Sequence, residues 1–199
     1  MNDDLVTKQL LRTDIRARRE ARRFEQRELE AQGFANQLAR LTPSDRPTTV
    51  ACYLSMPNEP GTRPYLTWAR SAGVAVLVPV SRADGLMDWV EVRGQPEVEG
   101  LFGIFELSGD RRGPAAVADA DLVIVPAAAV DRTGMRLGWG RGYFDRALAT
   151  LQHRDHVYAL IHDDELLDRV PSESHDLPVR GAVTPLRTVQ LPEKPIPNP

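Results

Sequence analysis

A chain of 199 residues with 42% hydrophobic and 27% charged residues has an ordinary globular composition, which argues against bulk disorder, collagen and fibrous repeats. Its longest non-polar run, nine residues from Leu122 to Val130, is far short of the about 20 that a membrane span needs. The net charge of −3 conceals a basic segment, Lys8 to Arg27, with eight basic and three acidic residues. Such a segment can meet nucleic acid, anionic lipid or a polyphosphate. It carries no aromatic residue before Phe24, which argues against a stacking platform for nucleic acid. Most of its arginines are expected on a solvated helix face.

In chain order, residues 5 to 41 hold no proline and show apolar positions at helical spacing, from Leu5, Leu11 and Ile15 to Phe34, Leu38 and Leu41. This predicts one long helix or two consecutive ones, closed by Thr42-Pro43-Ser44. Val50–Leu54 and Val74–Val78 read as buried strands, with a helix over Thr62–Ala72 between them. Leu86–Val92 alternates loosely. Leu122–Val125 and Val157–Ile161 are further buried strands, with a helix over Tyr143–Leu151 between them. A short helix is predicted at Asp164–Arg169 and a last strand at Leu186–Leu191. Short apolar strands alternating with helices predict an α/β fold: three layers around a mainly parallel sheet, with an N-terminal helical segment. One domain over 1–191 is expected, followed by a disordered proline-rich tail over 192–199. Cys52 is alone, so no internal disulfide forms, and it reads as a small core residue. The Met-Asn-Asp-Asp start lacks the basic-then-apolar order of a signal peptide, and a soluble cytoplasmic protein is expected.

The most informative stretch runs from Asp131 to Asp145, between a predicted strand and a predicted helix. Gly138, Gly140 and Gly142 allow the backbone to turn N–H groups toward an anion, and the helix start near Tyr143 adds a positive dipole end. Arg136 and Arg141 supply charge, and Asp145 either holds magnesium between phosphates or caps the helix. The spacing is neither that of a Walker loop nor that of a dinucleotide-binding fingerprint.

Arg136-Leu137-Gly138-x-Gly140-x-Gly142-Tyr143-Phe144-Asp145 resembles the signature of 5-formyltetrahydrofolate cyclo-ligases, also called methenyltetrahydrofolate synthetases. Four further blocks in order match the same family: Lys8-x-x-x-Arg12, Tyr53 to Thr62, Gly103-Ile104-Phe105-Glu106, and Glu173 to Asp176 with Val183-Thr184-Pro185. The resemblance implies magnesium- and ATP-dependent closure of 5-formyltetrahydrofolate to 5,10-methenyltetrahydrofolate, with ADP and phosphate released. It implies nucleotide contacts from Lys8, Arg12 and the loop, Arg136 through Phe144, with Arg136 and Arg141 catalytic. It places folate against Leu54, Glu59, Trp139, Gly140, Arg141, Gly142 and Tyr143, and metal at Asp145 and Asp176. Each has a plainer reading: Lys8 and Arg12 as a solvated pair, Glu59 in a surface turn, Asp176 in the turn before Pro178.

Two departures from the family pattern stand out. Trp139 replaces a polar loop residue, and Arg180 follows Val179 where an aspartate is common. Trp139, between glycines, is expected to have little local packing and to stack on adenine or pterin. Arg18 and Arg19 match no motif, so their replacement is expected to do little to nucleotide binding. The partner expected is a small-molecule substrate, with no nucleic acid and no membrane, and the protein is expected to be a monomer. The alternative reading is a non-catalytic paralogue that binds nucleotide or folate. A sugar-phosphate or coenzyme A-ester enzyme on a similar scaffold is a further one, without the glutamate nucleophile that the latter would need.

Overall fold

Each central strand sends alternate residues to opposite sides of one sheet, and that alternation builds the molecule. The computed structural model describes residues 3–173 and 176–192. The proline-rich tail expected from 192 lies, from residue 193 onward, outside the described residues. The chain opens with α1 (Asp3–Glu20) and α2 (Phe24–Leu41), then β1 (Thr49–Cys52), α3 (Arg63–Ser71), β2 (Ala75–Ser81) and β3 (Met87–Glu91). A hairpin of β4 (Glu97–Glu99) and β5 (Phe105–Leu107) follows, then β6 (Arg111–Arg112) and β7 (Leu122–Pro126). The remainder is β8 (Ala129–Asp131), β9 (Arg136–Leu137), α4 (Tyr143–Ala149), β10 (Val157–Leu160), β11 (Leu166–Leu167), β12 (Gly181–Val183) and β13 (Thr188–Gln190).

The main sheet has the order β13-β12-β10-β7-β1-β2-β3-β6. Its five central strands, β12 to β2, are parallel, and the antiparallel ones stand at the edges. Val50, Val76, Ile124 and Leu160 face α2 and α3 through Phe34, Leu38, Tyr65 and Leu66. Their neighbours Ala51, Leu77, Val123 and Ala159 face the other layer, with Leu148 of α4 and Val117. The three-layer, mainly parallel α/β expectation holds, and a strand buried on both faces needs the continuous apolar runs that predicted it.

Residues 21–23 separate α1 from α2, and Arg27 of α2 reaches back to donate to the Glu20 and Arg22 carbonyls at the end of α1. That satisfies groups a helix terminus otherwise leaves orphaned. The inward face of α1 is mixed in character: Ile15 is buried, but so are Lys8 and Arg19. The solvated-face reading therefore fails for those two, while Arg16 and Arg23 are exposed. Arg19 forms two 2.7 Å bonds to Glu165, each side chain 1% exposed, and donates to the Ala127 carbonyl.

Several boundaries differ from the sequence reading. The first strand ends at Cys52, so Tyr53 and Leu54 turn off the sheet. The helix predicted at 164–169 is absent: a single short turn at Asp163–Glu165 delivers Glu165 to Arg19, and the chain then extends as β11 beside β8. The last helix stops at Ala149, two residues early, and with seven residues it offers little dipole. β12 escaped notice because Gly-Ala-Val is too short and small to read as a strand. Tyr158 packs so closely on Gly181 that a Cβ there would lie 2.6 Å from its ring.

His162, just beyond β10, gives a pH prediction. Burial and the neighbouring Arg22, between α1 and α2, and Arg19 of α1 hold its pKa down to about 3, against Asp164, which raises it. Glu30 Oε2 of α2 stands 3.4 Å from Nδ1, Glu165 takes the His162 backbone N–H, and Phe34 meets the ring edge-on. Two arginines and desolvation outweigh the carboxylates, so the folded ring is neutral. Acidification below about 6.5 then protonates the unfolded chain first, and stability falls by up to about 1.4 kcal/mol per pH unit. Urea unfolding at pH 7 and pH 5 should show a larger loss for the wild type than for His162→Gln.

Candidate active site

Ligands of open parallel sheets bind beyond the carboxyl ends of strands, where the order reverses. Here β1 is followed in space by β2 on one side and β7 on the other, so the reversal lies between β1 and β7. Their exits, Tyr53–Leu54 and Pro126, line a cavity of about 360 Å³, joined by Pro79 and Ser81 from β2. That volume suits a small-molecule site.

The glycine loop forms one wall. Asp131 prepares it: buried, it accepts from the Thr133 and Met135 N–H groups and from Val170 N–H, pinning the β8–β9 turn. Arg136, Gly138, Trp139, Arg141, Gly142, Tyr143, Phe144 and Asp145 then line the cavity. Gly140 and Gly142 have φ of 94° and 70°, left-handed values that favour glycine, and a Cβ on Gly142 would meet Arg146 Nη1 at 2.8 Å. Tyr143 donates to the Arg82 carbonyl at 2.8 Å, tying the loop to the β2–β3 turn.

Arg136 is buried, donates to the Pro126 carbonyl at 3.0 Å and pairs with Asp145. The two residues read from sequence as phosphate and metal groups are thus each other's partner. Asp145 makes no side-chain cap, because Gly142 stands at the N-cap position. Arg12 donates to the Gly138 carbonyl at 2.8 Å. Burial lowers its pKa, opposed by Asp176, Asp145 and Glu173, so Arg12 sits in the field of carboxylates on both sides. Lys8 bonds Glu173 at 2.9 Å and Asp176 at 2.7 Å; burial alone would lower its pKa, but these partners raise it. Asp176 also accepts from Glu173 N–H at 2.7 Å. Lys8, Arg12, Leu137, Gly140 and Asp176 do not line the cavity.

Leu54 and Glu59 line the same cavity. Glu59 does close a turn, accepting from Met56 N–H at 2.9 Å, yet it faces the cavity as well. Burial pushes its pKa above the ordinary 4.5, against the Met56 N–H and Arg19, which pull it down. Trp139 departs from expectation. Its indole lies under the guanidinium carbons of Arg16 and Arg19, 5.6 and 5.2 Å from the ring centroid, and packs on the Ile15–Leu137 cluster. It has local packing after all, supplied by a helix more than a hundred residues earlier in the chain. Arg180 donates to the Leu191 carbonyl and is not part of the cavity wall.

Sequence reasoning assigned no role to Arg16, Ser81, Met87, Ile104 or Phe105, all of which line the cavity. The Gly103–Glu106 block was the available signal for two of them. Arg16, one turn beyond Arg12, was another. Cys52 is fully buried, with its thiol pKa pushed up by burial, as a core residue should be.

The model of the 5-formyltetrahydrofolate cyclo-ligase family matches residues 4–185. The chain belongs to that family. The 5-formyltetrahydrofolate cyclo-ligase of Mycolicibacterium smegmatis is 35% identical over 188 residues, covering 92% of this chain and 96% of the relative. The Escherichia coli cyclo-ligase is 31% identical over 175 residues, covering 86% and 96%. The solution structure of Aquifex aeolicus 5,10-methenyltetrahydrofolate synthetase superposes with a TM-score of 0.77 at 25% identity, covering 96% of both chains. A Mycoplasma pneumoniae synthetase shares the fold, with a TM-score of 0.71 at 19% identity. The chain is therefore a cyclo-ligase family enzyme by descent. No helix among its described residues is long and apolar enough to cross a membrane.

Proposed function

We propose that this cyclo-ligase closes the formyl group of 5-formyltetrahydrofolate onto N10, giving 5,10-methenyltetrahydrofolate, with ATP and magnesium required and ADP and phosphate released. The observation that carries the reading is one cavity lined both by Glu59 and by an arginine-bearing glycine loop. A carboxylate accepts from the paired N–H donors of a pterin, and Leu54 gives the ring an apolar surface. Gly138 and Gly142 bring backbone N–H groups to phosphate oxygens, Gly140 turns the loop between them, and Arg141 adds charge. Trp139, Tyr143 and Phe144 wall off water between the two halves. ATP supplies, when bound, the phosphoryl group that lets the formamide oxygen depart as phosphate. No covalent bond to the protein is needed, so the residues act by holding charge and geometry.

Among the described residues no three His, Cys, Asp or Glu side chains are grouped to hold a metal. Magnesium commonly keeps several waters and takes one or two carboxylates beside substrate phosphates. Asp145 fits that pattern, with one oxygen on Arg136 and the side chain 26% exposed at the cavity wall. Asp176, held by Lys8 and outside the cavity lining, would be the second carboxylate, and Arg12 lies in the field of both. Arg136 acts by holding Asp145, and Lys8 by holding Asp176.

The test is the absorbance of methenyltetrahydrofolate with and without ATP and magnesium. Product should form only with both. Tight folate or nucleotide binding without product would instead establish a non-catalytic binder. Glu59 gives a pH signature. Its ionised form is the acceptor, and its folded pKa is raised, so affinity should fall with acidification beginning above the ordinary 4.5. Calorimetry with a folate lacking the formyl group should show that slope in the wild type. Glu59→Gln should bind weakly and without it.

A further inference from the structure

Phe102, in the turn between β4 and β5, has φ 64° and ψ 22°, and it is the one non-glycine residue with positive φ among the described residues. Bulky side chains avoid this region. Packing does not explain the strain: the ring is 57% exposed and belongs to none of the three buried clusters. It faces Arg141, whose guanidinium carbon lies 3.8 Å from the ring centroid. The hairpin that carries Phe102 is itself anchored, since buried Glu106 of β5 accepts from Ser81 N–H at 2.6 Å, and Ile104 and Phe105 line the cavity.

We propose that Phe102 is a positioning residue, whose ring holds the Arg141 guanidinium at the cavity mouth in readiness for the phosphates of a nucleoside triphosphate. This rests on the reading of the glycine loop as a polyphosphate site. The physical reason lies in what each kind of partner would use up. A carboxylate would occupy the guanidinium edge and neutralise its charge, as Asp145 does for Arg136. An aromatic face takes only the flat side, leaving the in-plane N–H donors and the full charge for a planar bidentate contact. Arg141 accordingly donates no side-chain hydrogen bond and forms no ion pair among the described residues, although it lines the cavity. An arginine already at rest on a ring also loses less conformational freedom when the anion arrives.

Calorimetry with inorganic tripolyphosphate tests this in the wild type, Phe102→Gly, Phe102→Tyr, Arg141→Ala and the Phe102→Gly/Arg141→Ala pair. Glycine adopts the left-handed turn freely, so Phe102→Gly removes the ring without unsettling the hairpin. Its melting temperature should not fall. The expected result is roughly three- to tenfold weaker binding for Phe102→Gly, with Phe102→Tyr close to wild type. Phe102→Gly should cause no further loss once Arg141 is alanine. KM for ATP should rise in parallel while KM for the folate stays level. Equal binding by wild type and Phe102→Gly, or the same loss with and without Arg141, overturns the positioning role and leaves the polyphosphate reading intact. A wild type that binds no tripolyphosphate overturns the polyphosphate reading, and this proposal with it.

Discussion

Arg19→Met should lower the stability of the protein by about 3–5 kcal/mol, the cost of leaving one partner of a buried pair unpaired. Arg19 and Glu165 are each 1% exposed and doubly bonded, so methionine strands a carboxylate that water cannot reach. For a domain of this size the melting temperature should drop by roughly 10 °C. Arg19→Met/Glu165→Leu should recover most of the loss, because the stranded charge is gone. Recovery will be incomplete, since Arg19 also satisfies the Ala127 carbonyl and supports Trp139. Arg18→Ala should cost less than about 1 kcal/mol, because its pairs with Asp14 and Asp164 lie at the surface. The two adjacent arginines, equivalent as a motif-free control in the sequence, are therefore not equivalent. Urea unfolding of the wild type and the three variants decides it, and a loss under 1 kcal/mol for Arg19→Met would refute the buried-pair account.

Asp145→Asn should reduce turnover by at least about a hundredfold, the scale on which lost electrostatic preorganisation is felt. It should also lower stability by about 2–3 kcal/mol, because Arg136, 3% exposed in its side chain, loses its counter-ion. A metal ligand alone would lose turnover much more than stability, and a cap alone the reverse. The Arg136–Asp145 pair removes that simple separation, since one substitution now disturbs both properties. Magnesium dependence restores it. If Asp145 contacts the ion, the variant's residual rate should need far more magnesium for half saturation than the wild type does. An unchanged magnesium requirement with a lowered melting temperature would assign Asp145 to holding Arg136 alone.

The apolar runs of β1, β2, β7 and β10 made the parallel sheet legible, because a strand covered on both faces must be apolar throughout. The glycine loop was legible too, since a turn between strand and helix that brings backbone N–H groups to an anion needs glycine. Both are local requirements and leave a local mark. Partner choice among charges leaves none. Lys8, Arg12, Arg16 and Arg19 are four cations on one basic helix, yet one holds Glu173 and Asp176, one the Gly138 carbonyl, one lies over Trp139 and one is buried on Glu165. Those partners are more than a hundred residues away, brought near only when α1 packs on β8, β9 and β11. The layered sheet, the anion-binding loop and the family were therefore readable from the residues in order. Which charges neutralise one another and which, like Arg141, stay available emerged from folding, because electrostatic pairing depends on distance in space.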